Sequence, residues 1–345
     1  MAEKTVLVNK PIHTVALERL REEVDVLTPF DAPYEELLRM LPDVHAVILC
    51  AGLNMGAVEM DRAQRLEVIG RHGAGFDIVD VEAATQRGIP VTFTPYGPTE
   101  STAEHALMLM LAVARRLPQL DRAVRRGDFH VRDHVVGQEL EGKTLGIVGF
   151  GRIGKRLAEI CREGLHMSVY AFDPFVDDET TRECGATCVE DLIELASKID
   201  ILSIHSPLTE KTRHLINRDV IRAMKPGAIL INASRGAVVD EEALIDALQD
   251  GHLGGAGLDV YDPEPPAPDH PLYQMDQVAL TPHLASFTDE GRQRMGLMAA
   301  EDTLRVLRGE KPKNLANPTV WDRRRPFNKE TTNETQCVAG ETSTR

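Results

Sequence analysis

The sequence predicts an α/β fold: parallel sheets with helices on both faces, arranged as two doubly wound domains. Three observations lead there. Short apolar runs alternate with segments of helical period along most of the chain. A glycine-rich turn, Gly149-Phe150-Gly151-Arg152-Ile153-Gly154, joins one such run to a helical segment. The 345 residues also exceed a usual single domain of roughly 150, and each of two domains is large enough to bury a core.

In the first hundred residues the apolar runs are 5–8, 24–27, 46–50, 67–70 and 89–93, with helical stretches Thr14–Glu23, Tyr34–Leu41 and Ala57–Ala63 between them. A parallel sheet collects its ligands at the carboxyl ends of its strands. Two of those ends are loops of small residues, Cys50-Ala51-Gly52 and Arg71-His72-Gly73-Ala74-Gly75-Phe76-Asp77, whose glycines free backbone N–H groups for an anion. For Cys50–Gly52 an ordinary turn is an equal reading. Thr94-Pro95-Tyr96-Gly97-Pro98 is a candidate domain hinge. After it, Ser101 to Gly127 reads as one long helical pattern that Pro118 kinks or interrupts.

The centre of the chain carries the strongest signal. Thr144–Val148 is a β-rich run, and helical spacing of Ile153, Leu157, Ile160 and Cys161 follows the glycine turn. Gly149 permits the tight turn, Gly151 lets a pyrophosphate approach the backbone, and Gly154 lets helix and strand close. Free N–H groups and the helix dipole then hold the anion. A second run, Ser168–Phe172, ends in Asp173, where a Rossmann fold places the carboxylate for the adenosine ribose hydroxyls.

Further strand-like runs are Ile199–His205, Ile229–Asn232, Gly255–Leu258 and Val278–Leu280. Three polar residues follow such runs. Arg235 can grip a carboxylate with two N–H groups, His283 can exchange a proton near neutral pH, and Glu264 can orient that histidine. Thr288–Leu307 reads as a helix and Asn314–Trp321 as the last packed segment; the polar stretch 322–345 reads as a disordered tail.

A formal net charge of -15 argues against a nucleic-acid partner, whose phosphates call for clustered Lys and Arg. The amino terminus lacks the regions of a signal peptide, and the longest unbroken apolar run, Ala106–Ala114, is too short to span a bilayer. A cytoplasmic protein without a membrane partner is the expectation. Cys50, Cys161, Cys184, Cys188 and Cys337 are scattered and odd in number, which suggests reduced thiols. Cys184 and Cys188 alone complete no zinc set, so no metal is expected.

Taken together, RHGAGFDIVD (Arg71–Asp80), TESTAEHAL (Thr99–Leu107), GKTLGIVGFGRIG (Gly142–Gly154), HSPLTEKT (His205–Thr212), NASRGAVVDEEAL (Asn232–Leu244), GLDVYDPEPP (Gly257–Pro266) and TPHLAS (Thr281–Ser286) make the chain recognisable. From about Thr5 to Trp321 it resembles the NAD-dependent D-2-hydroxyacid dehydrogenases, the family of phosphoglycerate dehydrogenase and glyoxylate/hydroxypyruvate reductase. The resemblance implies a Rossmann cofactor domain (99–287) inserted into a flavodoxin-like substrate domain (1–98 plus 288–321). It also implies NAD as cofactor, a small 2-oxo or 2-hydroxy acid as substrate, and a homodimer made through the helix that begins near Ser101.

Carried over by position, Arg235 binds the substrate carboxylate and carbonyl oxygen, His283 is the general acid/base and Glu264 its partner. The backbone anion site falls on Ala74 and Gly75. Cofactor contacts fall on Thr102, Arg152, Ile153, Asp173, Ser206, Pro207, Thr212, Ala233, Asp259, His283 and Ser286, beside the three turn glycines. One departure concerns the hinge, where many relatives read TPGxN and this chain has Thr94-Pro95-Tyr96-Gly97-Pro98; the pattern that follows is closer to the glyoxylate and hydroxypyruvate reductases. The same family holds nucleotide-responsive corepressors and phosphite dehydrogenase, which are the alternative readings. A formate dehydrogenase is disfavoured, because a glutamine stands there where this chain has Glu264.

Overall fold

The computed structural model describes residues 4–325. Twelve strands among them form two parallel sheets. The first comprises β1 (Thr5–Val8), β2 (Asp25–Leu27), β3 (Ala46–Leu49), β4 (Val68–Arg71) and β5 (Val91–Thr92) in the order β2-β1-β3-β4-β5. That is the doubly wound order of flavodoxin. Its central strands are mainly apolar because both faces are covered, β3 being buried along its whole length, whereas the edge strand β2 leaves Asp25 and Leu27 exposed. Val6, Val8, Ala46, Ile48 and Val68 point to one side, against Leu17 and Leu20 of the helix Thr14–Arg21 and Ala300 and Leu304 of the helix Asp289–Leu307. Leu7, Val47, Leu49 and Ile69 alternate to the other, against Leu37, Leu41, Met60 and Leu66. The far end of the chain thus packs on strands from its beginning. Gly70 permits this, since a Cβ there would lie 2.4 Å from Thr303 Oγ1.

The second sheet comprises β6 (Thr144–Val148), β7 (Ser168–Phe172), β8 (Thr187–Cys188), β9 (Ile201–Ile204), β10 (Ala228–Asn232), β11 (Leu253–Leu258) and β12 (Val278–Leu280). Its order, β12-β11-β10-β9-β6-β7-β8, is the Rossmann order with one more parallel strand at its edge. The helix Thr99–Ala114 covers part of one face, its Ala106, Leu109, Met110 and Val113 packing with Ile229 and Ile231. Glycines in β11 let it settle: a Cβ on Gly257 would come within 2.9 Å of Leu109 Cβ, and one on Gly255 within 2.6 Å of Val113 Cγ1.

Two expectations need correction. The stretch Ser101–Gly127 is interrupted, but at Arg115–Arg116 and not at Pro118, which leaves two helices, Thr99–Ala114 and Leu117–Arg125. Arg116 breaks them by taking the left-handed conformation (φ 55°), and Pro118 sits in the first turn of the second helix, where its missing N–H is harmless. Asp322–Arg325, expected as the start of a disordered tail, are ordered instead. Asp322 and Arg323 complete the 3-10 turn Pro318–Arg323, and the Arg325 backbone N–H and Nε donate to the Gly88 and Arg87 carbonyls, each at 2.9 Å. The rest of that tail, with Cys337, lies outside the described residues. Among those residues Cys50, Cys161, Cys184 and Cys188 are free thiols, and no helix is long and apolar enough to cross a membrane.

Candidate active site

The cofactor side is built at the point where β6 and β9 lie adjacent and the chain leaves them in opposite directions, which opens a crevice at their carboxyl ends. Gly149 follows β6 with φ +90°, and a Cβ on it would fall 2.7 Å from the His205 carbonyl. Only glycine lets the two strand ends meet there. A Cβ on Gly154 would strike the Gly149 oxygen at 2.4 Å, so the helix Arg152–Leu165 rests directly on the turn. Gly151, by contrast, faces open space. The turn therefore fits a pyrophosphate: closed where helix meets strand, open where an anion must approach.

Asp173 directly follows β7 and hangs over this turn, its Oδ2 accepting the Phe150 N–H at 2.7 Å and its Oδ1 the Phe175 N–H at 2.9 Å. Each oxygen keeps a lone pair for a ribose hydroxyl. Ser206 and Pro207 follow β9 on the opposite wall, and the Thr212 hydroxyl donates to the Pro207 carbonyl at 2.7 Å. Thr102 is buried in the first turn of the helix Thr99–Ala114; Ala233 directly follows β10.

The sequence marks His205 only as the end of a strand-like run. The residue is half-buried, with Nε2 2.9 Å from Ser203 Oγ and Nδ1 shielded from solvent and without a partner among the described residues. Burial pushes its pKa down to about 4. An unfolded chain takes up this proton near the ordinary value of about 6.5, so stability is full above that pH and declines as pH falls toward the folded-state value. We expect the decline between pH 6.5 and 4 to shrink by on the order of 3 kcal/mol in His205→Asn, read from urea unfolding at each pH. An unchanged slope would show the ring to be hydrated.

On the substrate side Arg71, at the end of β4, folds the following loop around itself, donating to the carbonyls of Gly75 at 2.8 Å, Leu49 at 3.1 Å and His72 at 2.5 Å. The backbone N–H groups of Ala74 and Gly75 have no acceptor among the described residues. Arg235 approaches this loop from beyond β10. Its Nη2 and Nε donate to Asp77 Oδ1 at 2.8 and 3.0 Å, and its Nη1 to the Ser234 carbonyl at 2.7 Å. Burial pushes the Asp77 carboxyl up, but Arg235 outweighs it and holds the group below the usual carboxylate range. Gly75 is required for this approach, since a Cβ there would fall 1.9 Å from Arg235 Nη2.

His283 follows β12 in a left-handed conformation (φ 53°), and its backbone N–H donates to the Asp259 carbonyl at 2.7 Å. The ring Nδ1 lies 2.9 and 3.0 Å from the two Glu264 oxygens, while Nε2 has no partner among the described residues. Asp259, expected among the cofactor contacts, is wholly buried and holds the histidine loop. It accepts from Thr281 Oγ1 at 2.6 Å, Leu284 N–H at 2.9 Å and Ala285 N–H at 2.8 Å. His105, from the helix Thr99–Ala114, completes the group at 3.0 Å from Thr281 Oγ1. Burial pushes the Asp259 carboxyl up, but His105, Thr281 and the two N–H groups together leave it below the usual range. Ser286 lies in the same loop, one residue past Ala285. Because β10, β11 and β12 are neighbours, Arg235, Glu264 and His283 emerge along one edge of the sheet.

Sheets in these two orders, with a glycine turn beneath a carboxylate, define a two-domain dinucleotide-binding protein. Residues 107–285 match the family described as D-isomer specific 2-hydroxyacid dehydrogenase, NAD binding domain. The chain is 42% identical over 331 residues to glyoxylate reductase from Thermofilum pendens, covering 93% of this chain and 96% of that one. It is also 42% identical over 315 residues to D-3-phosphoglycerate dehydrogenase from Archaeoglobus fulgidus; that match covers 90% of this chain but spans only 59% of the relative's length. The solved structure of the TT0316 protein from Thermus thermophilus superposes with a TM-score of 0.84 at 42% identity, over 90% of this chain and 99% of that one. The chain belongs to the D-isomer-specific 2-hydroxyacid dehydrogenase family, and its cofactor is a nicotinamide dinucleotide.

Proposed function

We propose that the protein interconverts a small 2-oxo acid and its D-2-hydroxy acid with NAD. The observation that carries this reading is the His283–Glu264 pair. With both Glu264 oxygens on Nδ1, the ring is oriented and its free Nε2 is left to exchange a proton with substrate. The turn Gly149–Gly154 and Asp173 would hold the dinucleotide, with Thr102, Ser206, Pro207, Thr212, Ala233 and Ser286 along its length. The bound nicotinamide supplies or accepts the hydride. Arg235 binds the substrate carboxylate and carbonyl oxygen, and the Ala74 and Gly75 N–H groups take the rest of the carboxylate. As negative charge grows on the carbonyl oxygen, Arg235 stabilises it and His283 Nε2 delivers the proton. Asp259 acts here through the histidine loop. A homodimer through the helix Thr99–Ala114 is part of the proposal, supported by its exposed Met108 and Leu111 and by Leu117 just beyond.

The deciding experiment follows NADH oxidation with glyoxylate, hydroxypyruvate, pyruvate, phosphonopyruvate and 3-phosphohydroxypyruvate, with NAD reduction by phosphite as the contrasting arm. Turnover of at least one oxo acid is expected; none across the panel would remove the reading. Cofactor choice gives a second measurement. A 2'-phosphate at Asp173 would meet a like charge, worth about 1 to 4 kcal/mol at about 4 Å depending on the effective dielectric. We expect kcat/KM for NADH to exceed that for NADPH by roughly one to three decades. Equal efficiencies would remove Asp173 from the ribose site.

A further inference from the structure

The hinge holds Tyr96 between two fixed points. On its amino side the buried Thr94 is bonded both ways to Gly73, donating its N–H to the Gly73 carbonyl at 3.0 Å and accepting the Gly73 N–H on Oγ1 at 2.9 Å. On its carboxyl side a Cβ on Gly97 would fall 2.4 Å from Met295 Cγ, and the Gly97 carbonyl accepts from Arg294 Nε at 3.2 Å. With its backbone clamped on both sides, the Tyr96 ring projects outward. It remains 60% exposed, so packing does not account for it. What it does meet is Arg152, whose guanidinium carbon stands 4.5 Å from the ring centroid.

Arg152 is the first residue of the helix that follows the glycine turn. Among the described residues its guanidinium has no hydrogen bond or ion pair. Arg156, one turn later, is in a different state: Glu100 accepts from it at 2.8, 2.8 and 3.1 Å, and Glu159 at 2.8 Å. The first arginine is therefore held by an aromatic face and the second by carboxylates. A cation–π contact uses none of the guanidinium N–H groups as hydrogen-bond donors to an acceptor atom, and those are the groups that recognise phosphate oxygens. A carboxylate partner would instead have occupied them.

We propose that Tyr96 is a positioning residue for the dinucleotide pyrophosphate: it holds the Arg152 side chain beside the open face of Gly151, so that hinge ring and glycine turn form one anion site. The gain is one of preorganisation, since an arginine already held on the ring loses less rotamer freedom when phosphate binds. The hinge also bonds to Gly73, the residue before Ala74 and Gly75, so the same short segment supports both anion sites. This inference rests on the cofactor reading above.

The test is calorimetric titration of NADH and ADP-ribose, which contain the pyrophosphate, and displacement of NADH by adenosine, which lacks it. The parent, Tyr96→Leu and Tyr96→Phe are compared, with melting temperatures as a check of folding. An exposed cation–π contact of about 0.5–1 kcal/mol corresponds to roughly 2- to 5-fold in affinity. Tyr96→Leu should weaken NADH and ADP-ribose by that factor and leave adenosine unchanged, and Tyr96→Phe should restore the parent values. In an Arg152→Gln background Tyr96→Leu should add nothing. Unchanged ADP-ribose affinity, equal weakening of adenosine, a Phe variant as weak as Leu, or an additive effect in the Arg152→Gln background would each overturn the proposal alone. A parent that binds no NADH would remove the cofactor reading and the proposal with it.

Discussion

His283→Ala should lower turnover by about two to four orders of magnitude at every pH while NADH affinity stays at the parent's level; a positioned proton donor contributes on that scale. The reasoning rests on the geometry around the ring. Nδ1 is committed to Glu264 and Nε2 is free, so one nitrogen serves orientation and the other serves transfer. Reduction of an oxo acid needs the ring protonated and oxidation of the hydroxy acid needs it neutral. The parent should therefore show opposite pH dependence in the two directions about one shared ionisation, and His283→Ala should lose it. Glu264→Gln keeps an acceptor but removes the charge. Its kcat/KM should fall in both directions, because an amide cannot present two acceptor oxygens to Nδ1 and so orients the ring less well. Steady-state kinetics in both directions decide this: an unchanged kcat/KM in Glu264→Gln would separate Glu264 from the proton transfer.

Why these three residues could be found in the sequence, and others could not, has a physical basis. A doubly wound sheet projects ligands from the carboxyl ends of its strands, so a polar residue just after an apolar run is visible without coordinates; Arg235 and His283 are of this kind. The glycine turn is visible too, because its glycines mark a turn that the structure closes sterically at Gly149 and Gly154 and leaves open at Gly151. Residues that act through others leave no such mark. Asp77 is one acid in a polar loop until Arg235 arrives from 158 positions away. His105 sits inside the apolar pattern of Ala103–Ala114 and pairs with Thr281 across 176 positions, so only the fold shows that it braces the histidine loop. Its polarity in that helix was the one available signal. The break at Arg116 was hidden because the chain marks it with a left-handed arginine rather than with glycine, which drew attention to Pro118 two residues too late.

Arg235→Lys should reduce kcat/KM for the oxo acid by roughly 10- to 150-fold, the worth of one charge-assisted hydrogen bond of about 1.5–3 kcal/mol, with little change in NADH affinity. Arginine has five N–H groups, and three are engaged: Nε and one on Nη2 with Asp77, and one on Nη1 with Ser234. One N–H remains on each of the two Nη atoms, and both can donate to a substrate oxygen. Asp77 thus fixes the direction of the guanidinium while leaving those two N–H groups free. Lysine keeps the charge but offers a single ammonium, and Asp77 would draw it away from the substrate. The loss should fall mainly on KM if Arg235 serves binding alone, and on kcat as well if it also stabilises charge on the carbonyl oxygen; the proposed mechanism expects both. Steady-state kinetics with the best substrate of the panel, beside NADH titration, makes the separation. An unchanged kcat/KM would place the substrate carboxylate on the Ala74 and Gly75 N–H groups without Arg235, and the role of this arginine would reduce to its ion pair with Asp77.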